Sequence, residues 1–407
     1  MTQLAERPSL TLTPARRRLS PRSSFVLLAS IVLAFLAASS APTPLYAVYQ
    51  SEWGFTATTT TIVFGTYAIA VLASLLVLGR LSDHVGRRPV LLAAIAVQAV
   101  ALVLFTTADG VPMLLVARAV QGLSTGAAVA AIGAGMLDID RVRGTLANAA
   151  VPAMGTALGA LVASFVVALL PAPTHLIFLA LLVVLAVQAV GVALMPETVT
   201  PEPGAVASLR PTVALPRSAR RPAAVALPVL FAVWALPGFY GSLGPALVAT
   251  LVGSGSALFA GLGLFVLAGT AAITVVVLRD MPARDVLLVG IAALVVGLTV
   301  VLVSIRLSAP VLFFVGTAVA GIGFGGGFQG AIRLVVPQTL PHERAGVLSL
   351  LYVVSYLGMG VPAVIAGIVV VHDGGVLVTA QGYALAVIAF ALVALAGLLR
   401  RTVDRPV

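Results

Sequence analysis

Gly79-Arg80-Leu81-Ser82-Asp83-His84-Val85-Gly86-Arg87-Arg88-Pro89-Val90-Leu91 sets a short charged turn between two long apolar runs. Hydrocarbon solvates neither charge nor unpaired backbone, so such a turn belongs where one membrane span ends and the next begins. Its three arginines assign the turn to the cytoplasmic side, where loops carry the excess of basic residues. Gly79 and Gly86 allow a tight chain path around the charges.

Outward from that turn the chain is too apolar for a soluble domain. Hydrophobic residues make up 60% and charged residues 9%, against about a quarter charged in soluble proteins. The runs are continuously apolar rather than alternating, which favours helices over a transmembrane barrel. At roughly 20 residues per span, 407 residues accommodate about a dozen helices and no sizeable soluble domain. The net charge of +10 is spread along loops and not gathered on a folded face, so it reads as topogenic and not as a nucleic-acid footprint. All 23 basic residues are arginine, which we read as codon bias. Cysteine is absent, excluding disulfides, thiol catalysis and cysteine-ligated metal, and no metal or cofactor spacing occurs.

Residues 1–23 form a polar, arginine-bearing leader. The small-residue stretch Ala38-Ser39-Ser40-Ala41 superficially resembles a cleavage site, but the leader is read as holding the N-terminus inside and starting span 1, which continues through Pro42, Pro44 and Tyr46. The first bundle is expected over 24–195, with spans near 24–46, 58–78, 89–106, 112–136, 145–169 and 175–195. A proline-rich cytoplasmic linker over 196–222 leads to the second bundle, 223–400. Its spans fall near 223–246, 257–278, 285–304, 310–336, 345–371 and 377–399, and a cytoplasmic tail over 401–407 closes the chain. With both termini inside, 20 of the 23 arginines fall in cytoplasmic segments; Arg306 faces outward, and Arg118 and Arg333 lie within spans. The halves echo each other: Arg88-Pro89-Val90-Leu91-Leu92 opens span 3 as Arg284-Asp285-Val286-Leu287-Leu288 opens span 9, and Gln121-Gly122 is matched by Gln329-Gly330.

The pattern Gly-x-Leu-x-Asp-x-x-Gly-Arg-Arg of the opening turn resembles the signature loop between helices 2 and 3 of the major facilitator superfamily, the twelve-helix secondary transporters. The resemblance implies an all-α integral membrane protein whose two pseudo-symmetric six-helix bundles rock about a central site. It also implies a conformational latch made by Gly79, Asp83, Gly86, Arg87 and Arg88. Asp83 would act on the N-terminal end of span 11, near Arg344, where the helix dipole attracts a carboxylate. A solvated loop acid in a purely topogenic turn is the alternative.

Arg118 lies about seven residues into span 4, where a guanidinium costs several kcal/mol unless it meets a wet cavity or a partner. The order Arg118-x-x-Gln121-Gly122 resembles the family's helix-4 motif, associated with proton coupling in its antiporters; a structural bond to nearby carbonyls is the other reading. Span 5, with Gly155 and Gly159, matches the antiporter signature only in part and reads as helix packing. Spans 1, 4, 7 and 10 line the cavity in proteins of this resemblance, so Tyr46, Gln121, Trp234, Tyr240, Phe328 and Gln329 become substrate-cavity candidates. Arg333 is another, although it lies close enough to the span end to snorkel. Pro237-Gly238 would weaken span 7 where backbone lines a cavity.

Every acidic residue falls in a loop or at a span end. Proton coupling would therefore run through Asp83, Asp138 or Asp140 together with Arg118, or transport would be uncoupled or move an anion. No cluster of nucleophiles, carboxylates or histidines shares a depth, so an enzyme is not expected. The expected protein is a multi-pass carrier of the cytoplasmic membrane, with a small-molecule substrate and the lipid bilayer as its partners and no nucleic acid; its oligomeric state, with a monomer as one option, is left open by the sequence. Its expected work is efflux of amphipathic or drug-like compounds. A facilitator or exchanger of a small organic anion or metabolite, and a transport-inactive sensor of the same fold, are the alternatives.

Overall fold

A computed structural model describes residues 18–253, 257–372 and 374–403. Positions 1–17 of the leader and 404–407 of the tail lie outside the described residues, as does Asp373. Among the described residues twelve helices are long and apolar enough to cross a membrane. They are α1 (Pro21–Trp53), α2 (Ala57–Leu78), α3 (Arg87–Thr106), α4 (Val111–Ile139), α5 (Arg141–Leu169), α6 (Pro173–Leu194), α7 (Arg217–Ser242), α8 (Ala257–Val277), α9 (Ala283–Leu307), α10 (Pro310–Gln338), α11 (Arg344–His372) and α12 (Gly375–Leu399). Two large hydrophobic cores form, one built from α1–α6 and one from α7–α12 with Ala160 of α5, and a small third cluster joins α2 to α7 and α11. Helices α7, α4 and α1 are the most buried, whereas α6 and α12 turn most of their surface outward, as with Val183, Val187 and Val190.

The chain ends its helices with ordinary local chemistry. Gly54, at φ 64°, closes α1 in a left-handed turn that a Cβ would strain. Asp140 caps α5, its Oδ1 accepting the N–H groups of Val142 and Arg143 at 3.0 Å. Inside the bundles, glycine sets how closely helices approach. On α10, Gly323, Gly326 and Gly330 pack against α9, and Gly321 and Gly325 against α8, leaving Phe324 and Phe328 to project toward α7. Gly155 and Gly159 of α5 pack on Leu33 and Ala37 of α1.

Two expectations need correction. Pro237-Gly238 does not interrupt α7, which runs unbroken to Ser242 and also contains Pro222 and Pro228. Gly238 instead lets the Met359 carbonyl of α11 approach where a Cβ would collide, so the pair serves close packing. The echo of Gln121-Gly122 in Gln329-Gly330 is not a structural equivalence. Gln121 is ten residues past Val111 at the start of α4, whereas Gln329 is nineteen past Pro310 at the start of α10, so the two stand at different depths.

The bundles meet unevenly. The face carrying the Gly79–Arg88 turn holds the starts of α1, α3, α5, α7, α9 and α11; it is called the arginine-rich face below. Among the described residues, the hydrogen bonds between bundles lie toward the opposite face. Thr43 Oγ1 donates to the Gly241 carbonyl (2.9 Å), Thr58 Oγ1 to the Gly367 carbonyl (2.9 Å), and the Gly261 N–H to Ser164 Oγ (2.8 Å). Along the α2–α11 seam the crossing is tightest at the arginine-poor end and relaxes to ordinary contact by mid-helix. A Cβ at Gly367 would collide with Thr61, one at Gly65 would lie 3.1 Å from Val364, and one at Gly360 would lie 3.5 Å from Ala68. Along α5–α8, Ser164 and Ala160 press on Gly261, while nearer the arginine-rich face Ala150, Val151 and Met154 face Ile273, Val276 and Val277 across an open apolar groove of about 310 Å³ whose walls are largely exposed.

Among several buried polar atoms without a partner, those of Gln98 stand out because both ends of its amide are affected. Gln98 of α3 is fully buried, and neither its Nε2 nor its Oε1 has a hydrogen-bond partner. Leaving both unsatisfied costs about 1–3 kcal/mol, and an apolar side chain of similar length avoids the cost. Gln98→Leu is expected to raise the unfolding temperature in detergent; an unchanged or lowered value would show that the amide is satisfied.

Candidate functional site

The signature turn is a knot of charge centred on Arg87. A short helix, Leu81–Val85, brings Ser82 and Asp83 beneath the start of α3. Arg87 is buried to 5% exposure; its Nη1 donates to Ser82 Oγ (2.6 Å) and Asp83 Oδ1 (2.5 Å), and its Nε to Asp138 Oδ2 (3.2 Å) at the end of α4. Glu197, just beyond α6, accepts the backbone N–H groups of Arg87 (2.8 Å) and Arg88 (3.1 Å), placing a carboxylate at the positive end of α3. Gly86 holds φ 106° against that carboxylate, which leaves no room for a side chain. Arg88 reaches back to the last carbonyls of α6, Val192 (3.2 Å) and Ala193 (2.6 Å), and Gly79 turns the chain out of α2 over the Leu75 carbonyl. All these bonds stay within the first bundle and the start of the linker that follows it. In this conformation, among the described residues, no hydrogen bond or ion pair joins Asp83 to α11, consistent with bundles that part at this face.

Arg118 is fully buried in α4. Its Nη1 donates to the Ser39 carbonyl and to Gln121 Oε1, both at 2.8 Å, while Nε (3.2 Å) and Nη2 (2.5 Å) converge on the Tyr46 hydroxyl. Gln121 Nε2 donates in turn to the Ala38 carbonyl at 3.0 Å. The rings of Tyr46, Tyr67 and Phe105 stand 5.4–5.7 Å from the guanidinium carbon, within cation–π range. Gly122, one turn on, seats α4 against the Tyr67 carbonyl and Ala70 of α2, where a Cβ would lie 2.7 and 2.6 Å away. Every acceptor Arg118 uses is neutral.

In the second bundle Trp234 of α7 gathers rings from two further helices. Its ring centroid lies 6.0 Å from Phe324, 5.6 Å from Phe328 and 5.1 Å from Tyr356 of α11. Trp234 and Tyr356 also pack with Phe64 and Ala68 of α2, so this cluster sits in the seam between bundles. The remaining candidates lie elsewhere. Tyr240 is buried inside the second bundle, its hydroxyl 2.8 Å from Thr317 Oγ1 and its ring stacked on Phe313. Gln329 donates to the Val275 carbonyl of α8 at 3.2 Å. Arg333 binds the carbonyls that end α8, Met281 at 2.7 Å and Leu278 at 3.5 Å. The structure thus brings Tyr46, Arg118 and Gln121 together, and Trp234 with Phe328, while Tyr240 and Arg333 join neither group. Sequence reasoning missed Ser39, Tyr67 and Phe105 around Arg118, Phe324 and Tyr356 around Trp234, and Glu197 in the charge knot. The Met195-Pro196-Glu197 exit of span 6 carried a signal for the last, an acid positioned at a helix end.

Two six-helix bundles that touch at one face, part at the other and carry aromatic and charged side chains along their seam define a membrane carrier and not an enzyme. A family model described as Major Facilitator Superfamily matches residues 26–280. The chain belongs to the major facilitator superfamily and is a secondary transporter of small molecules. No curated protein matches its sequence. Among solved structures it is similar to a mutant of the nucleoside transporter NupG (TM-score 0.70, 13% identity, 93% of this chain and 99% of that one). It is also similar to the human organic anion transporter MFSD10, or TETRAN (TM-score 0.67, 17% identity, 94% of this chain and 99% of that one). Both likenesses concern the fold.

Proposed function

We propose that this carrier exports small amphipathic molecules across the cytoplasmic membrane by alternating access, with its termini and the arginine-rich face in the cytoplasm. The observation that supports the reading is the seam itself, fastened at the arginine-poor face by Thr43, Thr58 and Ser164, with no hydrogen bond joining the bundles at the arginine-rich face among the described residues. The excess of arginine on the latter face supports the orientation, and the ring cluster around Trp234 supports an apolar, ring-bearing cargo. Gly79, Asp83, Gly86, Arg87 and Arg88 serve as the latch when the inner face closes. Arg118, Gln121 and Gly122 serve the transport step.

A second reading concerns coupling. The acids nearest the membrane interior are tied into the charge knot or, like Asp140, cap a helix end, and none faces Arg118 among the described residues. Transport uncoupled from protons, or exchange of an organic anion, follows from that arrangement. In proteoliposomes the purified carrier is expected to move an amphipathic dye down its gradient, Arg118→Ala to slow it about tenfold or more, and a protonophore to leave the flux nearly unchanged. Collapse of concentrative transport on adding the protonophore would refute the uncoupled reading; no flux of any solute would refute the carrier reading in favour of a sensor.

A further inference from the structure

The bonding of Arg118 leaves an unusual vacancy of charge. A guanidinium at this depth ordinarily finds a carboxylate, because burying an unpaired charge is costly and neutral acceptors compensate only in part. Here Ser39, Gln121 and Tyr46 are all neutral, and three ring faces supply the remaining compensation. The geometry is more telling than the count. Nε and Nη2 form the edge of a guanidinium that grips both oxygens of a carboxylate in parallel. In this structure both converge on one phenolic oxygen, that of Tyr46, at 3.2 and 2.5 Å. Tyr46 occupies with one neutral atom a place suited to two anionic ones.

Across the seam, Trp234, Phe324, Phe328 and Tyr356 present ring faces and edges from α7, α10 and α11, and the Trp234 Nε1–H has no acceptor. Helix α2 connects the two places. Ala68 and Phe64 pack against the ring cluster, and Tyr67, their neighbour, stands 5.4 Å from the Arg118 guanidinium.

We propose that the seam binds an aromatic carboxylate. Its ring lies against the Trp234 cluster of the second bundle, and its carboxylate takes the Nε and Nη2 edge of Arg118 in the first, displacing the Tyr46 hydroxyl. This rests on the carrier reading above and narrows its cargo to ring-bearing organic anions. Because the two ends of such a ligand engage different bundles, occupancy draws the bundles together around it. An aromatic cation meets the uncompensated positive charge of Arg118, and an aliphatic acid of equal size loses the stacking.

The chain has two tryptophans, Trp53 and Trp234, so Trp53→Phe leaves Trp234 as the only indole. In that protein, 4-nitrobenzoate is expected to quench Trp234 fluorescence saturably. Benzoate should displace it, cyclohexanecarboxylate should bind about tenfold more weakly, and 4-nitrobenzylammonium should give no saturable quenching. Arg118→Gln is expected to weaken 4-nitrobenzoate about 10- to 100-fold, the range for losing a charge-assisted pair, with Arg118→Lys failing to restore it because an ammonium offers no fork. Tyr46→Phe should tighten binding severalfold, which a purely structural Arg118–Tyr46 bond would not do. Equal binding of the acid and the ammonium, or of benzoate and its alicyclic counterpart, would overturn the proposal without recourse to any variant; so would weaker binding in a folded Tyr46→Phe protein. If the dye of the flux assay still moves while 4-nitrobenzoate neither binds nor competes, this inference fails and the carrier reading stands.

Discussion

Gly367→Val is expected to reduce transport about 10- to 100-fold while the protein remains folded. At Gly367 even a Cβ would overlap Thr61 of α2, and the adjacent carbonyl accepts the Thr58 hydroxyl at 2.9 Å. Valine adds a branched side chain where a single methyl does not fit, so α11 must move away from α2 by the width of a side chain. Overpacking of this kind costs about 1–3 kcal/mol, occasionally more. Under the proposed alternating access the crossing belongs to the conformation closed at the arginine-poor face, so that cost falls on one conformation and shifts the population toward the other by the corresponding factor. A second readout separates this from simple damage. The chain has no cysteine, so Thr43→Cys supplies its only thiol, at a crossing point buried to 1% exposure. A membrane-impermeant maleimide applied to the arginine-poor face, the outer one in the proposed orientation, should label it slowly in the parent and rapidly with Gly367→Val. Equal flux and equal labelling would show that this crossing does not govern closure.

Arg87→Ala is expected to be the most destabilising single change in the charge knot. Removing a buried arginine from Asp83 and Asp138 leaves two carboxylates facing each other without their shared cation. For a fully buried pair the loss is about 3–5 kcal/mol; with the two acid side chains 45% and 30% exposed, solvent screening lowers this to roughly 2 kcal/mol. The Asp138 carboxylate retains only Thr198 Oγ1, at 3.1 Å. Arg87→Lys should recover less than half of the loss, because one ammonium cannot reach Ser82, Asp83 and Asp138 with the guanidinium's fixed fork. Thermal unfolding in detergent tests both variants, and an alanine variant as stable as the parent would mean that the acids are satisfied by water.

Much of this arrangement is legible in the sequence because a bilayer leaves few choices. Apolar length and arginine asymmetry suffice for twelve helices, and the turn from Gly79 to Leu91 is recognisable on its own residues. Partners are another matter. Asp138 lies 51 positions from Arg87 and Glu197 lies 110 from it, and nothing local in either stretch announces the meeting. Arg118 stands out as a charge inside a span, but its ring of Tyr46, Tyr67 and Phe105 comes from three other helices whose rotation about their own axes is set by packing. Gln329 misled for the opposite reason. A Gln-Gly pair recurs easily in glycine-rich apolar sequence, and similarity over two residues carries no depth. Pro237 misled because the rule that proline breaks helices weakens where a neighbouring helix packs against the freed backbone.

The chemistry of the outer fastening has a mechanical corollary. Thr58 hangs on the Gly367 carbonyl in the interior of α11, whereas the Gly241 carbonyl taken by Thr43 lies one residue from the end of α7 and four before Pro245, which has no N–H, so on release it is an acceptor for water to take over. Ser164 holds the Gly261 N–H at the start of α8, a donor that water can take over once the seam parts. A joint of this kind peels one contact at a time instead of snapping, so the carrier can cycle without paying for a broken core at each turn.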